Sequence, residues 1–249
     1  MSAERAPKSK SPEKPNPELG SISPVKPSVG WGVLHLFCRI GPSFDAEGII
    51  AAVKRAREAG DQVVTMAVLG HRADVGVMVL GPDLWRLRAL QTSLSLVGLE
   101  ATGSYVSLTE VSEYAEGIPE EMKQERLYPT LPPEGKPAFC FYPMSKRRGD
   151  KDNWYSLDFE ERRRLMLGHG SVGRNFHGRV LQLITGSTGL DAFEWGVTLF
   201  AQHPDDLKEC VYQMRFDEAS ARFAEFGPFW TGMVAEFEDI LDVVTRVET

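Results

Sequence analysis

The chain is expected to fold as an α+β protein of two tandem ferredoxin-like (βαββαβ) units, with antiparallel sheets forming a barrel-like core. Three observations lead there. Strand-like and helix-like runs follow the order β-α-β-β-α-β, and that order occurs twice over segments of similar size. Such a sheet has one face covered by helices and needs a partner for the other, so two of them packed together form a barrel. At 249 residues with 42% hydrophobic content, the chain can bury a core of that size.

Residues 1–29 stand apart. They hold six of the 16 prolines, six serines and no aromatic residue. They cannot bury enough apolar area to offset their ordering entropy, and a disordered Pro/Ser/Lys-rich tail is expected. The first unit, 30–115, opens with the strand Val33–Ile40, bounded by Gly41-Pro42. Ser43 is placed to cap a helix with Phe44, Ile49, Val53 and Ala56 on its apolar face, ending at Gly60. Val63–Leu69 and Val75–Leu80 read as strands across a hairpin-sized gap. Pro82-Asp83 opens a second helix carrying Leu84, Leu87 and Leu94, and Ala101–Val111 closes the unit as a strand.

A linking loop at 116–136, rich in Glu, Pro and Gly, is long enough to suggest a function of its own. The second unit, 137–249, begins with the strand Pro137–Met144. Asp158 and Glu161 have capping-box spacing for a helix reaching about Gly168. Arg179–Thr185 and Phe193–Ala201 are strands around Gly186-Ser187-Thr188-Gly189, Asp205–Met214 is helical, and Phe226–Met233 reads as a last strand.

Composition narrows the function classes. The net charge of −7 argues against a general nucleic-acid binder, because phosphate contact needs a basic surface. No run approaches the length of a membrane span, and the N-terminus lacks the apolar segment of a secretory signal. Cys38, Cys140 and Cys210 are too few and scattered for a disulfide framework or a zinc site, and read as small buried hydrophobes. A protein of a reducing, cytoplasmic compartment is expected.

No G-x-S-x-G, H-E-x-x-H or Walker motif occurs. Gly168-His169-Gly170-Ser171-Val172-Gly173 matches G-x-G-x-x-G in form, but it follows a helix where a dinucleotide site needs a strand. These glycines instead suit a helix end where a flat group can approach His169. His35 and His71 have less context, and His177 and His203 lie in polar stretches. Phe141-Tyr142-Pro143-Met144-Ser145-Lys146-Arg147-Arg148 runs from strand aromatics into three cations, an arrangement that would seat carboxylates beside a phenol. Arg126 and Arg215 could join that cluster. Each cation taken singly reads as a solvated charge, but their concentration in an acidic protein points to an anionic ligand.

Several of these segments resemble the chlorite dismutase superfamily. They are Tyr142-Pro143-Met144-Ser145-Lys146-Arg147, Asn153-Trp154-Tyr155, Met166-Leu167-Gly168-His169-Gly170 and Gly173-Arg174. Gly178 to Ser187, Glu194 to Phe200, Met214 to Arg222 and Phe226-Gly227-Pro228-Phe229 extend the resemblance, which covers roughly 31–233. Within the superfamily the chain is most similar to the coproheme-decarboxylating branch in its Firmicute-like form.

The resemblance implies a homo-oligomer, commonly a pentamer, that binds an iron porphyrin in its second half. It implies peroxide-dependent oxidation of two propionates of iron-coproporphyrin III (coproheme) to vinyl groups, giving haem b. His169 stands at the iron-ligand motif and Tyr142 at the catalytic tyrosine, where a phenol can release a proton and an electron. Gln182 matches the distal polar residue. Met144, Lys146, Trp154, Arg126, Arg215 and Ser220 match porphyrin- or propionate-binding motifs. Coproheme and hydrogen peroxide are the implied partners, with transient contact to a coproporphyrin ferrochelatase and no nucleic acid or membrane span. Chlorite-degrading members carry a distal arginine where this chain has Gln182, which disfavours that activity. No residue matches the distal histidine base of the actinobacterial enzymes. A chlorite dismutase-type haem b enzyme and a non-catalytic haem carrier are the alternatives.

Overall fold

The computed structural model describes residues 22–115 and 117–245. The tail expected over 1–29 therefore lies mostly outside the described residues. Where the chain enters them, Val25 N–H donates to Asp83 Oδ1 at 3.0 Å, and its carbonyl accepts from Leu84 N–H at 2.9 Å.

The elements in chain order are β1 (Gly32–Ile40), α1 (Ala46–Glu58), β2 (Gln62–Leu69), β3 (Val75–Gly81), α2 (Leu84–Leu96) and β4 (Leu99–Thr109). Then come α3 (Glu120–Leu127), β5 (Ala138–Lys146), a 3-10 turn (Trp154–Ser156), α4 (Phe159–Arg174), β6 (Val180–Gly186) and β7 (Trp195–Ala201). The chain finishes with α5 (Pro204–Met214), α6 (Glu218–Phe223), β8 (Ala224–Phe226), β9 (Trp230–Val234) and α7 (Phe237–Val244).

All strand pairings are antiparallel, in the order β7-β6-β4-β1-β3-β2-β9-β5-β8. A further pairing of β5 with β7 closes eight of the strands into a ring, leaving β8 as a short flap on β5. The expected barrel thus arises by joining two sheets edge to edge. One seam is β2–β9, from Met66↔Val234 to Leu69↔Thr231, and the other is the two-residue β4–β6 contact at Leu108↔Gly186 and Thr109↔Thr185.

Strand alternation fills the barrel with aromatic rings. Phe37, Tyr105, Phe139, Phe141 and Phe200 belong to one packed interior cluster. Gly196 on β7 makes room for it, since a Cβ there would lie 2.8 Å from the Tyr105 ring and 3.1 Å from Phe141. Outside the barrel, α1, α2 and α7 cover the β1–β3 side through Ile49, Val53, Leu87, Leu94, Phe237 and Ile240. The cover over β5 and β7 comes from α5, through Leu207 and Cys210. Among the described residues no helix is long and apolar enough to cross a membrane.

Several local expectations are corrected. Asp45, not Ser43, caps α1, accepting from Gly48 N–H at 3.0 Å. Asp158 caps α4 as expected, accepting from Glu161 N–H at 2.8 Å. That helix does not stop at Gly168 but runs through the glycines to Arg174, because packing against α5 and α6 outweighs their weak propensity. The single strand expected over Phe226–Met233 is two, β8 and β9. Pro228 has no N–H to donate, and Gly227 N–H turns to the Pro143 carbonyl at 2.8 Å. The linking segment contains α3, and α6 and α7 are further helices that periodicity did not reveal.

His35 lies inside the barrel, stacked on Phe141 at 4.1 Å, with Nε2 3.0 Å from Thr198 Oγ1. Its Nδ1 is buried without a hydrogen-bond partner. Burial lowers the imidazole pKa from 6.5 to about 3, so the ring is neutral in the fold. Between these values the unfolded chain binds the proton and the folded chain does not. Stability is therefore held above pH 6.5 and falls below it, by up to about 1.4 kcal/mol per pH unit. Denaturant titrations of His35→Leu should show a flatter acid limb than wild type; equal slopes would show that His35 does not set it.

Candidate functional site

Three neighbouring strands build one wall. The register sets Tyr142 opposite Val197, and Val197 opposite Ile184, while one step along it sets Cys140 opposite Leu199 and Leu199 opposite Gln182. Val197, Leu199, Cys140 and Tyr142 pack outside the barrel, so this row faces outward and Gln182 stands at its far side. Crossing three strands spans about 10 Å. Tyr142 is buried, stacks on Phe229 at 4.4 Å and meets Phe226 edge-on at 5.6 Å. Met144, two residues on, is half-buried against the same cluster. The Arg215 guanidinium lies 4.7 Å from the Phe226 ring centre and is otherwise exposed.

Helix α4 meets this row at Gln182. Gly173 follows His169 by one turn, so the two share a face. The Gln182 amide reaches across from β6 to the Gly173 carbonyl at 3.5 Å, and a Cβ at Gly173 would lie 3.6 Å from Gln182 Nε2. The face of α4 next to His169 is thus bare of side-chain bulk where it meets the sheet.

His169 is held by the start of α6. Its Nδ1 lies 3.0 Å from Asp217 Oδ2 and 3.3 Å from Ser220 Oγ. A carboxylate only accepts, so Nδ1 carries a hydrogen, and in the neutral ring the lone pair is on Nε2. Asp217 also caps α6, accepting from Ser220 N–H at 3.0 Å. Burial pushes the Asp217 carboxyl up, but hydrogen bonds from His169 and Ser220 outweigh it and hold it below the usual range. This is the donor set an iron porphyrin needs: a partly exposed imidazole with Nε2 free and its other nitrogen fixed by a carboxylate.

Lys146 lies near this pair rather than in open solvent. Its Nζ donates to the Ala219 carbonyl at 3.2 Å and sits 4.4 Å over the buried Trp154 ring. Burial lowers its pKa to about 8 against the opposing pull of Asp217 and Glu194. The fall from 10.5 corresponds to about 3 kcal/mol of penalty at most. Because the unfolded chain holds the proton up to pH 10.5, that penalty is full below pH 8 and fades above it. Lys146→Met should therefore stabilise the protein by about 1–3 kcal/mol at neutral pH, and less in alkali, in thermal melts. Destabilisation at neutral pH would show that the ammonium's contacts outweigh its burial.

The structure gathers His169, Ser220, Lys146 and Trp154 around the contact of α4 with α6, and sets Tyr142, Met144, Arg215 and Gln182 along the outward sheet face. Arg126 is separate. It is exposed in the last turn of α3 and forms no ion pair among the described residues. Two further residues matter. Asp217 had a signal, since Asp217-Glu218-Ala219-Ser220 is a helix-capping pattern. Glu194 had none. Its buried carboxylate accepts from Lys146 N–H at 2.8 Å and from the Arg148 guanidinium, pinning the end of β5 to the start of β7. A separate hollow of about 440 Å³ lies between the ends of β4 and β6, lined by Thr109, Glu110, Leu127, Gly186 and Leu190, and holds none of these groups.

Comparison with known proteins follows the same lines. The family model described as chlorite dismutase matches residues 45–235. A coproheme decarboxylase from Staphylococcus carnosus is 40% identical over 244 residues, covering 88% of this chain and 96% of that protein. A candidate heme-binding protein of Natronomonas pharaonis is 45% identical over 241 residues, covering 83% of this chain; the chain spans 39% of that longer relative. Among solved structures, a heme-binding protein from Thermus thermophilus superposes with a TM-score of 0.78 at 34% identity, covering 88% of this chain and 96% of that one. A chlorite dismutase variant from Candidatus Nitrospira defluvii reaches a TM-score of 0.71 at 18% identity, covering 88% and 98%, a likeness of fold. On the extent of these matches, the chain belongs to the chlorite dismutase family.

Proposed function

We propose that the protein oxidatively decarboxylates two propionates of iron-coproporphyrin III, using hydrogen peroxide, to give haem b in haem biosynthesis. The observation that carries this reading is the Asp217-bound His169 on α4, a helix tied through the Gln182–Gly173 contact to the sheet face that bears the buried phenol of Tyr142. The 40% identity to a coproheme decarboxylase supports it. His169 would hold the iron through Nε2, and the Gln182 amide, on releasing the Gly173 carbonyl, would be a donor for peroxide or a propionate. The bound iron porphyrin would supply the two-electron chemistry with peroxide.

The chain's own residues do the rest. Tyr142 gives up a proton and an electron and then takes them back from the propionate side chain. Burial pushes its hydroxyl above the usual phenol range, the Cys140 and Cys210 thiols push the same way, and Arg215 opposes them. The resting group is therefore the neutral phenol. Each propionate consumes one hydrogen peroxide; its carboxyl leaves as carbon dioxide, its other two carbons stay as a vinyl group, and two waters form. Arg215 and Lys146 supply cations for the carboxylates, and Lys146 must release the Ala219 carbonyl to reach one. Met144 and Trp154 line the ring, and Ser220 steadies the His169–Asp217 pair. A cytoplasmic homo-oligomer, a pentamer on the resemblance to the family, with transient contact to a ferrochelatase, completes the reading.

Gln182 in place of a distal arginine separates this reading from chlorite breakdown. Peroxide given to the coproheme-loaded protein should release carbon dioxide much faster than chlorite given to the haem b form releases oxygen. The opposite order would overturn the proposal.

A further inference from the structure

The mechanism leaves two buried thiols unused, and both pack in the cluster that holds its phenol. Alternation along β5 puts Ala138, Cys140 and Tyr142 on its outer face, and α5 lays Leu207 and Cys210 over them in one packed cluster. Cys140 and Cys210 are both buried and free, lie within electrostatic reach of each other, and each acts on Tyr142. Cys38, the third cysteine, is buried in a different cluster, outside β1 and beneath α1 and α2.

Their environment selects the chemistry open to them. Burial pushes the Cys140 thiol up to about 12 and the Cys210 thiol up to about 11. Neither is a thiolate at neutral pH, so neither attacks peroxide or a disulfide at a useful rate. An S–H bond packed in the same cluster as a phenol can still give up a hydrogen atom without forming a buried charge.

We propose that Cys140 and Cys210 are a buried reductant pair that returns oxidised Tyr142 to the phenol when no propionate is in place to do so. This rests on Tyr142 being the oxidised group of the proposed reaction. The phenoxyl oxygen takes a hydrogen atom, one electron and one proton, from a thiol; the S–H bond breaks and the O–H bond forms. A second oxidation of Tyr142 removes the second hydrogen, and the two sulfurs join. The balance is one hydrogen peroxide and two thiols to one disulfide and two waters. The pair would protect the site once substrate is exhausted.

The test uses the full-length protein loaded with iron-coproporphyrin III and given hydrogen peroxide beyond the amount that consumes it. The protein is then denatured and alkylated, and its peptides and porphyrins are identified by mass. The expected result is a Cys140–Cys210 disulfide that grows with excess peroxide while Cys38 is alkylated in full. In Tyr142→Phe the disulfide should fall several-fold. In Cys210→Ala, oxidised forms of the Tyr142 peptide should accumulate several-fold faster than in wild type. Both thiols alkylated in full after excess peroxide, or equal disulfide in Tyr142→Phe, would overturn the pair's role. Full conversion of porphyrin with both thiols intact overturns this proposal alone. Unchanged coproheme with a Tyr142-dependent disulfide supports it and overturns the decarboxylase reading instead.

Discussion

Tyr142→Phe is expected to bind iron-coproporphyrin III nearly as wild type does and to lose propionate cleavage by at least about 100-fold, equivalent to about 2.7 kcal/mol in the barrier. The ring survives the change, and with it the stacking on Phe229 and the edge contact with Phe226, so the wall keeps its shape. Only the hydroxyl goes. Without it the ring has no transferable proton to couple to the loss of an electron. Stopped-flow absorption separates the two effects, since porphyrin binding and consumption change the spectrum at different stages. Turnover at the wild-type rate would show that the propionate is oxidised without this phenol.

His169→Ala is expected to act on the iron and on stability together. The nitrogen that Asp217 orients is gone, so the Soret band should shift and porphyrin affinity should fall, with carboxylate contacts retaining part of it. The Asp217 carboxylate, almost wholly buried, loses its main donor and keeps only Ser220, at a cost of about 1–3 kcal/mol. That stabilisation is present above the ordinary carboxylate pKa of 3.8 and is lost as pH falls through the lower folded value, so the variant should melt earlier at neutral pH. Added imidazole should restore the wild-type spectrum by filling the vacated space. An unaltered spectrum in both oxidation states would place the ligand elsewhere.

What could be read from the residues alone follows from how local each signal is. The Asp158 cap, the Pro82-Asp83 helix start and the alternation along β5 are set within a few residues, and they stand where expected. Barrel closure is not local. The β5–β7 and β4–β6 pairings join segments about 50–80 residues apart, and no spacing rule encodes their register. Helix α4 runs past Gly168 because α5 and α6 pack against it, which helix propensity cannot report. The site divides in the same way. Spacing by two along one run puts Tyr142, Met144 and Lys146 on one strand face from the sequence alone, and His169 is legible as a histidine among helix glycines. The Asp217 contact that gives His169 its chemistry spans 48 residues and appears only in the fold. Lys146 was legible as a cation, but its seat on Trp154 was not.

The central claim is that this chain removes propionates from iron-coproporphyrin III. The most direct measurement is to bind that porphyrin to the purified protein, add hydrogen peroxide stepwise, and identify the porphyrins by mass after each step. The account predicts a singly decarboxylated porphyrin at low peroxide, replaced by haem b as peroxide increases. Coproheme that stays bound and unchanged through excess peroxide would contradict it.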